Sequence, residues 1–234
     1  MRTMKVRKGF YGFLAAVLAA AVCASATDRA WAASAQGIIS DSIDVLHDMA
    51  KQEDADAMAD VLKDAHAVAI VPAMVKAGLI IGGEYGEGLI LRREKGRWYG
   101  PSYYNLGGGS LGLQIGAQKI SLVLVVTNED GVRAFLNSRT KLGADVSVAA
   151  GPTGRRAEAA TDAQARASIY SYSMTKGLFA GVSLEGSVIS VSVKRNEDYW
   201  KKKLSADDAL KQPAKDKRIL PLTGALDNLA RKAR

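Results

Sequence analysis

The pattern Gly-Leu-x-x-Gly occurs three times in this chain, at 78–82, 112–116 and 177–181, and it limits what the chain can fold into. Each copy runs into residues with the composition of a β-strand. Side chains along a strand alternate between faces, so glycines four apart would lie on one side of a sheet. A paired absence of side chains there lets a backbone, a helix or a ligand come close, or lets the sheet bend. The expected scaffold is a sheet lined by Gly78, Gly82, Gly112, Gly116, Gly177 and Gly181. The first copy continues into Gly83-Glu84-Tyr85-Gly86-Glu87-Gly88, which places two carboxylates around a tyrosine.

The N-terminus reads as a leader. Arg2, Lys5, Arg7 and Lys8 precede an apolar run over 13–24, and Ala30-Trp31-Ala32 supplies a small-x-small site for cleavage after Ala32. Residues 1–32 are therefore expected to be a secretory signal peptide, with an exported, periplasmic or envelope-associated product. Two other readings stay open. The segment could remain as an anchor, since no charge falls between Lys8 and Asp28, or it could end in a lipoprotein signal at Cys23. Against the latter, Val22 stands where a small residue is expected. Cys23 is the only cysteine, so a cleaved chain would carry no disulfide, thiolate nucleophile or cysteine-bound metal. Export without disulfides fits a bacterial envelope protein.

The remaining chain is long enough for one domain with a real core. The formal charge of +8 belongs mostly to the ends. Residues 33–193 hold 15 basic and 17 acidic side chains, whereas 194–234 hold 12 and 6. A net-negative centre without interleaved basic and stacking aromatic residues argues against a nucleic-acid partner. The division expected is a leader over 1–32, a domain over 33–200 and a basic helical tail over 201–234.

Apolar residues spaced three and four apart predict amphipathic helices over 36–50 and 54–65. Ala67-Val68-Ala69-Ile70-Val71 reads as a short buried strand ended by Pro72. Residues 86–93 and 97–99 form a hairpin around a polar turn, Glu94-Lys95-Gly96-Arg97. Near-continuous apolarity over 119–127 predicts a strand buried on both faces. Asn128 or Glu129 caps a short helix carrying Val132, Phe135 and Leu136. Strands are expected over 144–150, 167–174 and 178–193. Ser205-x-x-Asp208 is a capping box, and Pro221 opens a last helix with Leu222, Leu226 and Leu229 on one face. Regular strand–helix alternation is missing. The expectation is an α+β fold: N-terminal amphipathic helices and C-terminal helices packed on a curved, mainly antiparallel glycine-rich sheet or partial barrel.

Catalytic patterns fail on context. Gly108-Gly109-Ser110-Leu111-Gly112 fits G-x-S-x-G, yet strand-like residues follow it and the only histidines, His47 and His66, lie upstream. Gly107-x-Gly109-x-x-Gly112 opens no helix, so it is no dinucleotide fingerprint. Asp54, Asp56 and Asp60 do not follow calcium-loop order. No enzyme activity, metal or cofactor is expected. Glu84 and Glu87 are assigned to structural pairing with Lys76, Arg92 or Arg93. The cations beside the glycine motifs are Lys76, Lys141, Arg155, Arg156 and Lys176. Glycine next to a cation can hold an anionic headgroup through backbone N–H groups and a point charge, so these five are the candidate lipid contacts.

Four blocks, in order over about residues 38–200, carry a resemblance. They are 76–88 (Lys76-Ala-Gly through Gly-Gly-Glu-Tyr-Gly-Glu-Gly88), 108–118, 142–152 and 172–186. Together they resemble the SYLF domain, a lipid-binding family also described as actin-binding in fungal members. One departure is visible: Ser173-Met174-Thr175-Lys176-Gly177 stands where the family often has Ser-Arg-Ser-Lys-Gly, so a headgroup role does not carry over to Met174. The resemblance implies a non-enzymatic phospholipid-binding module. An exported copy would not meet actin in its own cell, so the part that transfers is binding to envelope phospholipid or a membrane surface. A structural or protein-interaction module of the envelope is the alternative. Neither the lipid nor the oligomeric state is set by the sequence.

Overall fold

The computed structural model describes residues 34–52, 55–78, 81–111, 116–153 and 166–232. The leader, with Cys23 and Ala32, lies outside them, as do Gly112, Arg155 and Arg156.

Helix α1, Ala35–Met49, buries Ile38, Ile39, Val45, Leu46 and Met49 along one stripe. Ser42 lies in the same stripe, and its hydroxyl donates to the Ile38 carbonyl at 2.6 Å, which satisfies the one polar group there. Helix α2, Ala55–Lys63, buries Met58, Ala59 and Leu62. Both cover one face of the sheet.

The sheet is built from β1 (Ala67–Gly78), β2 (Ile81–Glu94), β3 (Arg97–Leu111), β4 (Gly116–Val126), β5 (Thr140–Lys141), β6 (Val148–Ala150), β7 (Ile169–Thr175), β8 (Leu178–Gly181) and β9 (Val188–Val191). Its order is β5-β9-β3-β2-β1-β4-β7-β6, and β8 also pairs with β7. Every pairing is antiparallel except β6 with β7. The fold is α+β with a curled, mainly antiparallel sheet.

Both faces are buried. Val68, Ile70, Leu89, Leu91, Tyr103, Val123 and Val125 pack under α1, α2 and the C-terminal helix. Alternate residues, among them Ala69, Ile90, Tyr104, Leu122 and Leu124, line a second, inner core. That core is filled by α3 (Glu129–Ala134), by Phe135 and by Leu184. Asn128 caps α3 as expected, accepting from the Gly131 N–H at 2.9 Å.

Close backbone approach explains several glycines. A β-carbon on Gly88 would sit 2.3 Å from the Ile70 carbonyl oxygen, and one on Gly86 would sit 2.5 Å from Val71 Cγ1. The close approach of β2 to β1 leaves no room for a side chain at either.

Three expectations need correction. First, β1 is not ended by Pro72. It continues to Gly78 through a register shift between Ile70 and Ala73, where the missing proline N–H is tolerated. Second, 178–193 is not one strand. The chain leaves the sheet over 182–187, buries Leu184 in the inner core, and returns as β9 before α4, Val193–Trp200. This crossing carries it from beside β7 to beside β3; at its start the Val182 carbonyl accepts from the Ser171 hydroxyl. Third, only 148–150 of 144–150 is strand.

The C-terminal residues close the outer core. Ser205 caps α5, Ala206–Ala209, by accepting from the Asp208 N–H at 3.0 Å while donating to its carboxylate at 2.7 Å. Helix α6, Leu220–Ala230, buries Leu222, Leu226 and Leu229 as the spacing predicts. Trp98 Nε1 donates to Asp227 at 2.9 Å, which ties α6 to β3, and the Arg218 guanidinium stacks 4.0 Å from the Tyr199 ring centre, which ties the segment before α6 to α4. Residues 35–234 form one compact unit.

Candidate functional site

The first copy of the repeated motif is shared between two strands. Gly78 and Gly82 do not lie along one strand. They face each other across the β1–β2 ladder, and Gly78 also pairs with Gly116 on β4. Gly177 sits in the β7–β8 turn and Gly181 ends β8. In that turn Lys176 (φ 50°) and Gly177 (φ 79°) both have positive φ, the signature of a two-residue type I′ turn. Lys95 and Gly96 repeat it between β2 and β3.

Pairing fixes direction. Strands β1, β3, β5 and β7 run the same way, so Gly78, Leu111, Lys141 and Thr175 all end at one rim of the sheet. Two carboxylates lie just inside it. Glu84, on the inner face, is 8% exposed. Its carboxylate pairs with Lys76 Nζ at 2.8 Å, directly across the ladder, and accepts from the Ser187 hydroxyl at 2.6 Å. Glu87, on the outer face, accepts two 3.0 Å bonds from Arg195 of α4. The Tyr85 hydroxyl reaches Glu87 and Asn105, and burial, then the Glu87 charge, raises its pKa. Alternation thus separates the two carboxylates, as expected. The partner of Glu87 is Arg195, however, and not Arg92 or Arg93. Arg92 binds Glu129, and Arg93 lies over the Trp98 ring.

Beside this pair the outer face opens into a cleft of about 530 Å³. Its floor is the bare backbone of Gly107, Gly108 and Gly109, and its walls carry Tyr85, Asn105 and Ser190. Two cations line it, Lys141 at the end of β5 and Arg139 two residues before. Among the described residues no ion pair is formed by either side chain. Asp145 is close, but it accepts the backbone N–H of Lys141. A side chain of Gly109 would meet nothing within 4 Å, so the floor is open rather than packed.

The candidates named from sequence therefore separate. Lys141 lines the cleft. Lys76 lies on the opposite face, held by Glu84. Lys176 stands exposed at the β7–β8 turn. Sequence reasoning missed Arg139, Arg195 and Ser187. Arg139 was within reach, since residues two apart in an extended segment share a face. Arg195 and Ser187 are about a hundred residues from their partners, and no local spacing marks them.

Residues 107–229 match the family Ysc84, described as Las17-binding protein actin regulator. That is more than half of the chain. The chain belongs to the Ysc84 family. The SYLF resemblance is to this same family. The Ysc84 match begins at the cleft floor, takes in Arg139, Lys141 and the β7–β8 hairpin, and runs on through α6. LAS seventeen-binding protein 3 of Saccharomyces cerevisiae is 41% identical over 145 residues, covering 60% of this chain and 31% of that protein. SH3 domain-containing YSC84-like protein 1 of Xenopus laevis is 34% identical over 142 residues, 60% of this chain and 42% of that one. The Bos taurus protein of the same name is 32% identical over 154 residues, with 65% and 45% covered. This Ysc84 chain thus spans less than half the length of these relatives.

Proposed function

We propose that this protein is a non-enzymatic phospholipid-binding module of the bacterial cell envelope, and that the cleft at the rim takes an anionic headgroup. The observation that carries the reading is the pairing of Arg139 and Lys141, neither with a carboxylate partner among the described residues, above a floor of three glycines. A phosphate group suits that chemistry. Arginine offers a planar fork of donors, lysine adds a point charge, and glycine lets oxygens approach the backbone. Each cation near an anionic surface contributes about 1 kcal/mol. Export is part of the proposal and is supported by the leader pattern of residues 1–32; mass spectrometry of the mature N-terminus reads it directly.

Vesicle flotation tests the binding. The full chain is expected to float with vesicles containing phosphatidylglycerol more than with pure phosphatidylcholine, and to lose that preference at high salt. Soluble glycerol phosphate as competitor separates recognition of a bilayer from recognition of phosphate alone. Equal recovery with and without phospholipid overturns the reading.

A protein-interaction module is the second reading. It is favoured by the printed description of the Ysc84 family, which names Las17 binding and actin regulation. For an exported chain the partner would be an envelope protein and not actin. It predicts a partner retained in envelope pull-downs and no extractable lipid.

A further inference from the structure

We propose that the β7–β8 hairpin enters the bilayer interface, with Leu178 in the apolar boundary and Lys176 at the phosphates. This rests on the phospholipid reading above and adds how the protein sits on the surface.

Among the described residues Leu178 is the most exposed large hydrophobic side chain, at 76%. Along β8 exposure alternates the wrong way for a water-facing edge strand: Leu178 and Ala180 face out, while Phe179 is partly buried. The base is rigid. Phe179 stacks on Tyr172 with ring centres 5.7 Å apart and planes 10° apart, and it pairs across the ladder with Met174. A single exposed leucine is ordinary on a protein surface; this one projects from a packed aromatic base, two residues from a cation at the turn.

Charge supports the same occupant. Lys176 adopts positive φ, which a lysine rarely does, yet among the described residues it has no ion pair and is exposed. The neighbouring β4 adds exposed Lys119. Residues 116–127 and 169–182 contain these two lysines and no Asp or Glu. The hairpin thus carries a lysine and no acidic residue, which fits an anionic lipid surface. The hairpin turns at the same end of the strands as Lys141, on the opposite side of the sheet from β5.

The test uses the full chain and vesicles of phosphatidylcholine mixed with phosphatidylglycerol. Leu178→Asp is expected to weaken vesicle binding by about tenfold or more, the loss of one buried leucine. Because Leu178 is exposed, thermal unfolding should be unchanged. Leu178→Trp should show blue-shifted emission on vesicles and quenching by brominated lipid. Several outcomes overturn the proposal. If the wild type binds vesicles and needs Arg139 and Lys141, but Leu178→Asp binds equally and Leu178→Trp shows no shift, the hairpin stays in water. If Leu178→Asp alters oligomeric state and leaves vesicle binding unchanged, the leucine serves a second copy. If the wild type binds no vesicles at all, the phospholipid reading itself fails and the hairpin proposal falls with it.

Discussion

Lys76 illustrates how a residue can look like a ligand contact and serve structure instead. It stands beside the first glycine motif, yet its ammonium is the partner of a carboxylate that is almost wholly buried. Removing one member of a buried pair leaves the other charge uncompensated, which costs far more than the pair contributes. Lys76→Met is therefore expected to lower stability by roughly 2–3 kcal/mol, since the lysine is partly exposed. Adding Glu84→Gln should restore most of it, and urea unfolding of the three proteins reads the difference. If Lys76→Met unfolds like wild type, Glu84 does not depend on it. The glycines separate in the same manner. Gly88→Ala would drive a β-carbon into the Ile70 carbonyl and should cost about 1–3 kcal/mol or more, whereas Gly109→Ala meets open space and should cost little. Equal losses at both would contradict the close-approach account. At this scale the sequence revealed the Lys76–Glu84 option and the separation of Glu84 from Glu87 by face. It did not reveal Arg195 or Ser187, because those contacts depend on how strands distant in sequence become neighbours.

Elements were legible where local chemistry defines them. The amphipathic stripes of α1, α2 and α6, the Asn128 and Ser205 caps and the Lys95-Gly96 turn all follow from spacing or turn preference. The glycine repeat misled about direction, since four-residue spacing suits both a strand face and a tight hairpin, and only the ladder distinguishes them. Likewise an apolar run over 178–193 does not show where a buried leucine pulls the chain out of a sheet. The joint between α1 and α4 gives an acid-sensitivity prediction. Asp198 accepts the Ala35 N–H at 3.2 Å, and that bond, then Lys201, lowers its pKa below the ordinary 3.8. Asp216 is lowered in the same direction by Arg218. A carboxylate whose folded-state pKa is depressed contributes stability that is complete above its unfolded value and lost as pH falls through the folded one. Stability should hold down to about pH 4 and decline below it. Asp198→Asn should flatten that decline in thermal unfolding measured across acid pH; an unchanged profile would remove Asp198 from the account.

Among the described residues the sheet is buried on both faces. Helices from both ends of the chain cover its outer face, and its curl encloses α3 and Leu184 on the other. One end of the sheet carries two features, the glycine-floored cleft with Arg139 and Lys141 where β5, β9 and β3 meet, and the β7–β8 hairpin with its outward leucine on the other side of the strand order. The α+β class and the two-sided burial of β4 could be read from apolar patterning. The cleft could not, because it is made where β3, β9 and β5 meet. The central claim is that this cleft recognises anionic phospholipid. Its most direct test is equilibrium binding of the full chain and of an Arg139→Ala/Lys141→Ala variant to vesicles with and without phosphatidylglycerol. Residues 1–33 are common to both proteins, so their contribution cancels in the comparison. The account predicts that the variant keeps the wild-type melting temperature and binds phosphatidylglycerol vesicles roughly thirtyfold more weakly, at about 1 kcal/mol for each of two cations. Binding of wild type and variant with the same affinity and the same salt dependence would contradict it.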